Sequence, residues 1–174
     1  MKAKNMALCG LFAAMLTICG WLSIPFGDLF ITLQTFGIFL TLGLLGGKRG
    51  TVTIFVYLLL GAIGAPVFSG FRGGLGALLG TTSGYLFGFL FSGLLYWLIT
   101  AIKDSPASRL MAMVLGLLLC YGCGSFWYMR QYLSDSAVTL WAVLLKCVIP
   151  YLIPDLIKLA LAWFFTGRLK RFVY

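Results

Sequence analysis

The sequence predicts an all-α polytopic membrane protein, a bundle of six transmembrane helices that forms one domain over residues 1–174. The first observation is composition, because 61% of the residues are hydrophobic and 10% are charged, whereas a soluble domain is nearer half apolar and a quarter charged. The second is six long apolar runs, since about 20 apolar residues cross a bilayer core. The third is that basic residues gather in alternate connections between these runs.

Continuous apolar runs favour helices, because a membrane-spanning strand would alternate apolar and polar residues over about 10 positions. The runs comprise residues 6–26, 29–47, 50–68, 82–102, 109–128 and 139–166. The first run follows Lys2 and Lys4, as the core of a secretory signal peptide would. It is too long for such a core and lacks a convincing A-x-A cleavage site, so a membrane helix is the better interpretation.

The connections indicate the orientation, because cytoplasmic loops are enriched in Lys and Arg. With the N-terminus inside, nine basic residues fall on the cytoplasmic side: Lys2, Lys4, Lys48, Arg49, Lys103, Arg109, Arg168, Lys170 and Arg171. Arg72 and Arg130 fall outside, and Lys146 and Lys158 fall within the sixth run. Both termini are therefore predicted to be cytoplasmic.

Neutral hydrogen-bonding residues lie at the start of the second run. Thr32, Gln34 and Thr35 suit an uncharged polar ligand just inside the membrane, and hydrogen bonding between helices is the alternative.

The segment after the third run, residues 64–84, is too rich in glycine for a lipid-facing helix and too apolar for a solvated loop. Its Arg72 stands in the sequence Ser69-Gly70-Phe71-Arg72-Gly73-Gly74. This pattern is consistent with a flexible outer loop that folds over a pocket and offers charge to an anionic ligand. A solvated outer loop is the alternative.

Small residues recur every four positions from this segment into the fourth run, and if helical they form a smooth face for helix packing. They are Gly76, Gly80, Gly84, Gly88 and Ser92. In the fifth run, Cys120-x-x-Cys123 has the spacing of half a zinc or redox site. Without a second pair or any histidine, packing of small side chains in a membrane helix is the better interpretation.

The sixth run carries two opposite charges, Asp155 and Lys158, three residues apart and therefore on one helical face. An ionisable residue within a span costs about 2.5–3.5 kcal/mol even on an insertion scale, so it needs a partner and usually has a role. Pro150 and Pro154 interrupt the helix beside them, and a broken backbone is tolerated where it lines a cavity. These features predict a polar ligand site open to the outside, with a structural ion pair as the alternative.

Several functions are excluded by the residues that the chain lacks. It has no histidine and no glutamate, and its acids are Asp28, Asp104, Asp135 and Asp155. This inventory supplies no nucleophile–base pair and no metal cluster. A Walker A loop is excluded near residues 46–49, because Leu42 and Arg49 stand where glycine and Ser/Thr are required.

The net charge of +9 is distributed between apolar runs rather than in one patch, so nucleic acid is not a predicted partner. The inventory of polar groups also argues against an enzyme or a channel. We therefore predict a membrane protein that has no catalytic residues, no metal and no cofactor and that is embedded in a lipid bilayer.

Four stretches resemble the BioY family, in order and over nearly the whole chain. They are residues 31–37 (ITLQTFG), residues 57–68 (YLLLGAIGAPVF), residues 73–86 (GGLG through GYL) and residues 154–158 (PDLIK). The T-L-Q-T and L-L-L-G-A-I-G-x-P-V-F stretches are the most specific. Family members often have proline in the G-x-T-x-G-Y region, where this chain reads Gly80-Thr81-Thr82-Ser83-Gly84-Tyr85.

The resemblance implies a biotin-specific substrate-binding (S) component of an energy-coupling factor (ECF) transporter in the bacterial plasma membrane. Such a protein captures biotin from outside with high affinity and docks on a transmembrane coupling subunit, EcfT-like, that carries two ATPase subunits. The family docks through small residues on the first helix, where this chain has Ala3-x-x-x-Ala7 and Gly10-x-x-x-Ala14. Packing within the bundle is the alternative for these residues. An S component for another vitamin, such as riboflavin or thiamine, is the alternative function.

The resemblance also implies roles for the polar residues in binding biotin. Asp155 would accept a hydrogen bond from a ureido N–H, with Lys158 beside it. Arg72 or Lys158 would pair with the carboxylate, and which charge meets which end of biotin stays open. Gln34 joins this site, and Phe36 and Tyr85 would cover the thiophane ring and the aliphatic chain.

Overall fold

The computed structural model describes residues 3–26, 29–131 and 140–173. Four residues considered above lie outside these ranges: Lys2, Asp28, Asp135 and Thr139. The helices are α1 (Ala3–Trp21), α2 (Gln34–Ala62), α3 (Leu75–Leu79), α4 (Ser83–Ile102), α5 (Pro106–Gln131), α6 (Leu140–Cys147) and α7 (Ile149–Val173).

Five of the described helices are long and apolar enough to cross a membrane, namely α1, α2, α4, α5 and α7. The chain is therefore a mostly helical membrane protein, as predicted. One short antiparallel hairpin departs from the all-α expectation. Its strands are β1 (Ser23–Phe26) and β2 (Leu29–Thr32).

Helix α2 covers both the second and the third predicted run. The helix is interrupted at Gly46, whose φ of 78° and ψ of 169° are not helical. A Cβ atom on Gly50 would lie 3.0 Å from the Cα atom of Leu42, although eight residues of straight helix would separate the two by about 12 Å. The chain therefore turns back at Gly46, and α2 consists of two helical halves that pack against each other.

Two predicted runs extend beyond the ends of the helices in the structure. The first was expected to reach Phe26, but α1 ends at Trp21, and Ser23 pairs with Thr32 in the hairpin. Pro25 explains this end, because proline has no backbone N–H and disfavours helical geometry in the residue before it. The third run was expected to reach Phe68, but α2 ends at Ala62. The chain then passes through Gly64, at φ 105°, which favours glycine.

The predicted stripe of small residues is divided between two roles. Gly84, Gly88 and Ser92 lie on α4 where it meets α5: a Cβ atom on Gly88 would lie 2.9 Å from the Cα atom of Cys120, and the Ser92 hydroxyl donates to the Gly116 carbonyl at 2.6 Å. This close approach supports a packing role for Cys120. Gly76 and Gly80 precede α4, so the prediction of one continuous helical face was wrong for them.

The sixth predicted run is two helices, α6 and α7, that meet at Val148. Pro150 lies in the first turn of α7, where the missing N–H would have no helical partner in any case. Pro154 is accommodated inside α7. The predicted interruption therefore occurs at the first proline.

A group of charged residues lies together at one end of the bundle. The α4–α5 connection carries Asp104, which accepts two hydrogen bonds from the Arg109 guanidinium at 2.5 and 2.6 Å. These bonds hold the pKa of the Asp104 carboxyl below its usual range. Lys170 and Gly46 line the same small cavity as this pair, so the turn in α2, the α4–α5 connection and the end of α7 lie at one end of the bundle.

Candidate ligand-binding site

A cavity of ≈ 530 Å³ opens at the end of the bundle opposite the Asp104–Arg109 pair. It is enclosed by the hairpin, the beginning of α2, segment 68–82, α4, α5, the end of α6 and α7. Its size lies within the roughly 300–1,000 Å³ of small-molecule sites in proteins.

Asp155 and Lys158 lie on the deep side of this cavity, which we call the floor. Both are buried, with exposed fractions of 6% and 7%. The Lys158 ammonium donates to Asp155 Oδ1 at 2.7 Å, and the Tyr121 hydroxyl donates to Asp155 Oδ2 at 2.8 Å. The three residues form one hydrogen-bonded unit that joins α5 to α7.

The Asp155–Lys158 ion pair at the floor has no net charge, but its two side chains have a large hydrogen-bonding capacity. A lysine ammonium has three donors and a carboxylate has about four lone-pair sites. One donor of Lys158 is used by Asp155, and each carboxylate oxygen accepts one bond. A ligand group that carries both a donor and an acceptor therefore matches the floor better than a bare charge does.

Gln34 connects the beginning of α2 to the segment that follows this helix. Its amide nitrogen donates to the Tyr57 hydroxyl at 2.6 Å, which in turn donates to the Val67 carbonyl at 2.9 Å. Its amide oxygen accepts a bond from the Ser69 hydroxyl at 3.0 Å. Gln34 lines the cavity, and these bonds fix segment 67–69 beside it.

Arg72 lies at the exposed side of the cavity. Its guanidinium carbon is 4.9 Å from the centroid of the Phe30 ring on β2, within the range of a cation–π contact. The neighbouring Phe71 stacks on Trp21, with ring centroids 5.1 Å apart. No ion pair between Arg72 and a carboxylate occurs among residues 3–26, 29–131 and 140–173. The guanidinium is therefore available to an anionic ligand.

Tyr85 forms part of the wall, and its hydroxyl donates to the Cys147 carbonyl at 2.9 Å. This bond ties α4 to the end of α6. The rest of the wall is mainly apolar, with contributions from Phe68, Leu86, Phe89 and Leu117. An apolar wall above a polar floor suits a ligand with a polar end and an aliphatic body.

Five of the six predicted ligand-binding residues line this cavity: Asp155, Lys158, Arg72, Gln34 and Tyr85. Phe36 does not, since its ring packs edge-on against Phe165 at 6.1 Å between centroids. At about 100° per residue, Phe36 is rotated away from both Thr35 and Gln34 around the axis of α2, and its side chain is directed towards α7. The predicted docking residues Ala3, Ala7, Gly10 and Ala14 are all exposed on α1.

Two tyrosines of the site were not among the predicted residues. Tyr121 completes the floor, and Tyr57 orients Gln34. Their signal in the sequence is a tyrosine within an apolar run, because a buried tyrosine hydroxyl needs a hydrogen-bond partner. That signal gives no indication of which partner it finds.

The part of the chain that the structure describes contains no group of three or more His, Cys, Asp or Glu side chains able to hold a metal ion. The chemistry available in the cavity is therefore that of hydrogen bonds, one ion pair, one peripheral arginine and apolar contact. Such a cavity binds a small molecule by shape and polarity. The fold and the site together define a membrane-embedded binding protein for a small, partly polar ligand.

The comparisons with known proteins agree with this class and specify it. The model of the BioY family matches residues 1–174, and the chain belongs to the BioY family. This confirms the predicted resemblance, and with it the interpretation of the chain as a transport protein rather than an enzyme.

Named relatives cover nearly all of the chain. It is 38% identical to the biotin transporter BioY of Thermotoga maritima, over 97% of this chain and 96% of that one. It is 34% identical to a probable biotin transporter BioY of Pyrococcus horikoshii, over 98% of each.

A solved structure has the same fold. It is the crystal structure at 2.1 Å of the S-component for biotin from an ECF-type ABC transporter, with a TM-score of 0.85 and 29% sequence identity. The match covers 98% of this chain and 92% of that one.

Proposed function

We propose that this chain is the S component of an ECF transporter and binds biotin in the cavity described above. The observation that carries the proposal is the buried Asp155–Lys158–Tyr121 unit at the floor of an otherwise apolar cavity. Membership of the BioY family supports the choice of biotin over another vitamin.

The two ends of biotin differ in charge, and so do the two ends of the cavity. A cyclic urea carries N–H donors next to a carbonyl acceptor, which complements a carboxylate next to an ammonium. The ureido ring therefore belongs at the floor, where Asp155 accepts from an N–H and Lys158 donates to the carbonyl. Charge-assisted bonds of this kind are roughly twice as strong as neutral ones.

The carboxylate of biotin then belongs beside Arg72 at the exposed side. The floor pair is already neutral, so a second carboxylate there would leave an uncompensated buried charge, which is costly. Within the described residues Arg72 makes no ion pair with a carboxylate, and its planar donors match a carboxylate bidentately. The aliphatic chain and the thiophane ring would lie between, against Tyr85, Leu86 and Phe89.

Titration of the purified full-length protein with biotin tests the proposed ligand, with riboflavin and thiamine as the alternatives. Binding of biotin alone is expected, with a rise in thermal stability, because a ligand that binds only the folded state stabilises it. Binding of riboflavin or thiamine in place of biotin would exclude this function.

The proposed pose is tested with Arg72→Gln, measured against biotin and its methyl ester. If Arg72 pairs with the carboxylate, the substitution weakens biotin binding by about 10-fold or more and leaves the uncharged ester unaffected. Equal weakening of biotin and its methyl ester would contradict the proposed pose, but it would not contradict the proposal that biotin is the ligand.

We also propose that the bundle crosses the membrane six times, with both halves of α2 crossing separately. The return of the chain at Gly46 supports this count, because it places Lys48 and Arg49 at the same end as the α4–α5 connection. The Cys9 thiol, which lies 4.0 Å from the Arg49 carbonyl, also locates the start of α1 there. The enrichment of basic residues at this end supports a cytoplasmic location for it and for both termini.

The proposed partners are an EcfT-like transmembrane coupling subunit and two ATPase subunits in the bacterial plasma membrane. The exposed small residues of α1 support this docking surface, because Ala3, Ala7, Gly10 and Ala14 allow a partner helix to approach closely. A Cβ atom on Gly10 would meet no atom within 4 Å, so Gly10→Leu is expected to keep biotin binding and to abolish co-purification with the coupling subunit. Retained co-purification would exclude this face.

A further inference from the structure

The cavity changes in character from its floor to its exposed side. The floor residues Asp155, Lys158 and Tyr121 are buried. The exposed side, which we call the mouth, is formed by Phe71, Arg72, Gly73, Gly76 and Gly80, of which Phe71 is 63% exposed. Buried polar groups therefore form the deep end, whereas three of the five mouth residues are glycines.

Two of the three mouth glycines, Gly76 and Gly80, have open space beside them, whereas Gly73 packs against the backbone of Ala65. A Cβ atom on Gly76 would meet no other atom within 4 Å, and one on Gly80 would meet only backbone oxygens at 3.4 Å or more. Gly76 is in the short helix α3, whose first and last residues, Leu75 and Leu79, are exposed. The mouth is therefore wide because small residues line it.

Hydrogen bonds attach the segment that carries the mouth, residues 66–80, to α1 on one side and to α5 on the other. The Trp21 indole donates to the Pro66 carbonyl at 2.7 Å, and Gln131 donates to the Leu79 carbonyl at 2.8 Å. Trp127 donates to the Gly80 carbonyl at 3.0 Å. All three bonds are accepted by backbone carbonyls, so they anchor the segment to α1 and α5 without using a side chain of the mouth.

Biotin is at the small end of the ligands that a cavity of ≈ 530 Å³ accepts. In the proposed pose the ureido ring lies at the floor and the carboxylate beside Arg72, so the carboxyl group is directed towards the mouth, where Gly76 and Gly80 leave open space. A substituent on that carboxyl group would therefore extend outward past Gly76 rather than into packed protein.

We propose that the protein also binds amides of biotin formed at the carboxyl group, for example ε-N-biotinyl-lysine. This inference rests on the proposed function and on its pose. The amide loses the charge of the biotin carboxylate, but the α-carboxylate of the lysine restores a negative charge farther out. Arg72 is exposed on the same edge and can pair with it.

The test is a parallel titration of the purified full-length protein with biotin and with ε-N-biotinyl-lysine. The expected result is that the two dissociation constants agree within about 10-fold, because the floor contacts are shared and only the peripheral pair is rearranged. Tight binding of biotin with loss of more than about 100-fold for the conjugate would overturn the inference alone. Failure of biotin itself to bind would overturn the proposed function as well.

A substitution at the mouth tests whether the lysine part of ε-N-biotinyl-lysine extends out of the cavity past Gly76. Gly76→Leu adds a side chain where the structure has space, so the protein is expected to fold. Because Gly76 lines the cavity, the effect is measured as the ratio of the dissociation constants of the two ligands. Binding of ε-N-biotinyl-lysine is expected to weaken by about 10-fold or more, because the added side chain occupies the path of the extension.

Gly122→Leu on α5 is the matched control, because a Cβ atom there also meets nothing within 4 Å and Gly122 does not line the cavity. It is expected to bind both ligands as the parent does. Equal weakening of both ligands by Gly76→Leu, or no weakening of either, would contradict an exit past Gly76.

Discussion

Single residues determine how the cavity recognises its ligand, and Asp155 does so through two bonds rather than one. Its two carboxylate oxygens are each held, one by Lys158 and the other by Tyr121. In the low dielectric of a protein interior such a unit is rigid, and removal of one member leaves another unpaired. The effect of a substitution on binding must therefore be separated from its effect on folding.

Asp155→Asn is expected to abolish measurable biotin binding and to destabilise the protein by about 3–5 kcal/mol, because it leaves the buried Lys158 ammonium without its counter-ion. Thermal unfolding and biotin titration measure the two effects. The double variant Asp155→Asn/Lys158→Gln removes both charges and is expected to recover most of the stability without recovering binding. If it binds biotin as the parent does, neither charge contributes to the site.

Tyr121→Phe is expected to weaken biotin binding by about 10-fold, since the hydroxyl holds one Asp155 oxygen and a bond to a charged group contributes about 1.5–3 kcal/mol. Isothermal titration measures the change. Tyr128→Phe removes a buried hydroxyl from the same helix but away from the cavity, so its affinity should match the parent. Equal losses in the two variants would indicate a general effect on α5.

At the scale of residues, the sequence predicted which charged side chains belong to the site better than it predicted which hydroxyl groups do. Asp155 and Lys158 were predictable because a charge within an apolar run is costly and their spacing allows a pair. Tyr121 was not, because its partner is 34 residues away on another helix. Phe36 was assigned to the site because it is adjacent in sequence to Gln34 and Thr35. Its position in the first turn of α2, however, directs its side chain towards Phe165.

At the scale of elements, the lengths of the apolar runs predicted the helices well where a polar residue ends them. They failed where glycine and proline act through geometry. The turn of α2 depends on a positive φ at Gly46, and the hairpin depends on pairing between Ser23–Phe26 and Leu29–Thr32. Apolar composition alone carries no information about either feature, since both lie inside or beside hydrophobic sequence.

Helices α4 and α5 pack closely beside the cavity, and Gly88 is one of the residues that allow this contact. Gly88→Leu is expected to destabilise the protein by about 1–3 kcal/mol or more, because a side chain there overlaps the backbone of Cys120. Thermal unfolding in detergent measures it. Gly122→Leu on α5, which meets open space, should unfold within a few degrees of the parent, and a comparable loss in that control would remove the packing explanation.

At the scale of the whole molecule, the charges give the bundle two distinct ends. The turn of α2, the α4–α5 connection and Lys170 meet at one end. The cavity, with Arg72 and the glycine-lined mouth, occupies the other. A binding protein that captures its ligand from outside needs this separation, because its mouth must face the medium.

This arrangement predicts opposite labelling of two exposed positions. Ile63 follows α2 on the cavity side and is 80% exposed, whereas Lys103 lies in the α4–α5 connection and is also exposed. In intact cells, a membrane-impermeant maleimide is expected to label Ile63→Cys and not Lys103→Cys, because basic connections remain in the cytoplasm. After the cells are opened, both variants should be labelled.

The parent protein is the control, because its cysteines at positions 9, 19, 120, 123 and 147 are buried or half-buried and should react slowly. Labelling of Lys103→Cys in intact cells, with Ile63→Cys protected, would reverse the orientation and direct the mouth towards the cytoplasm. Labelling of both in intact cells would mean that α4 does not connect opposite sides of the membrane, because α4 extends from the cavity to Lys103. Exclusive labelling of Ile63→Cys is the result that fits capture of the ligand from outside.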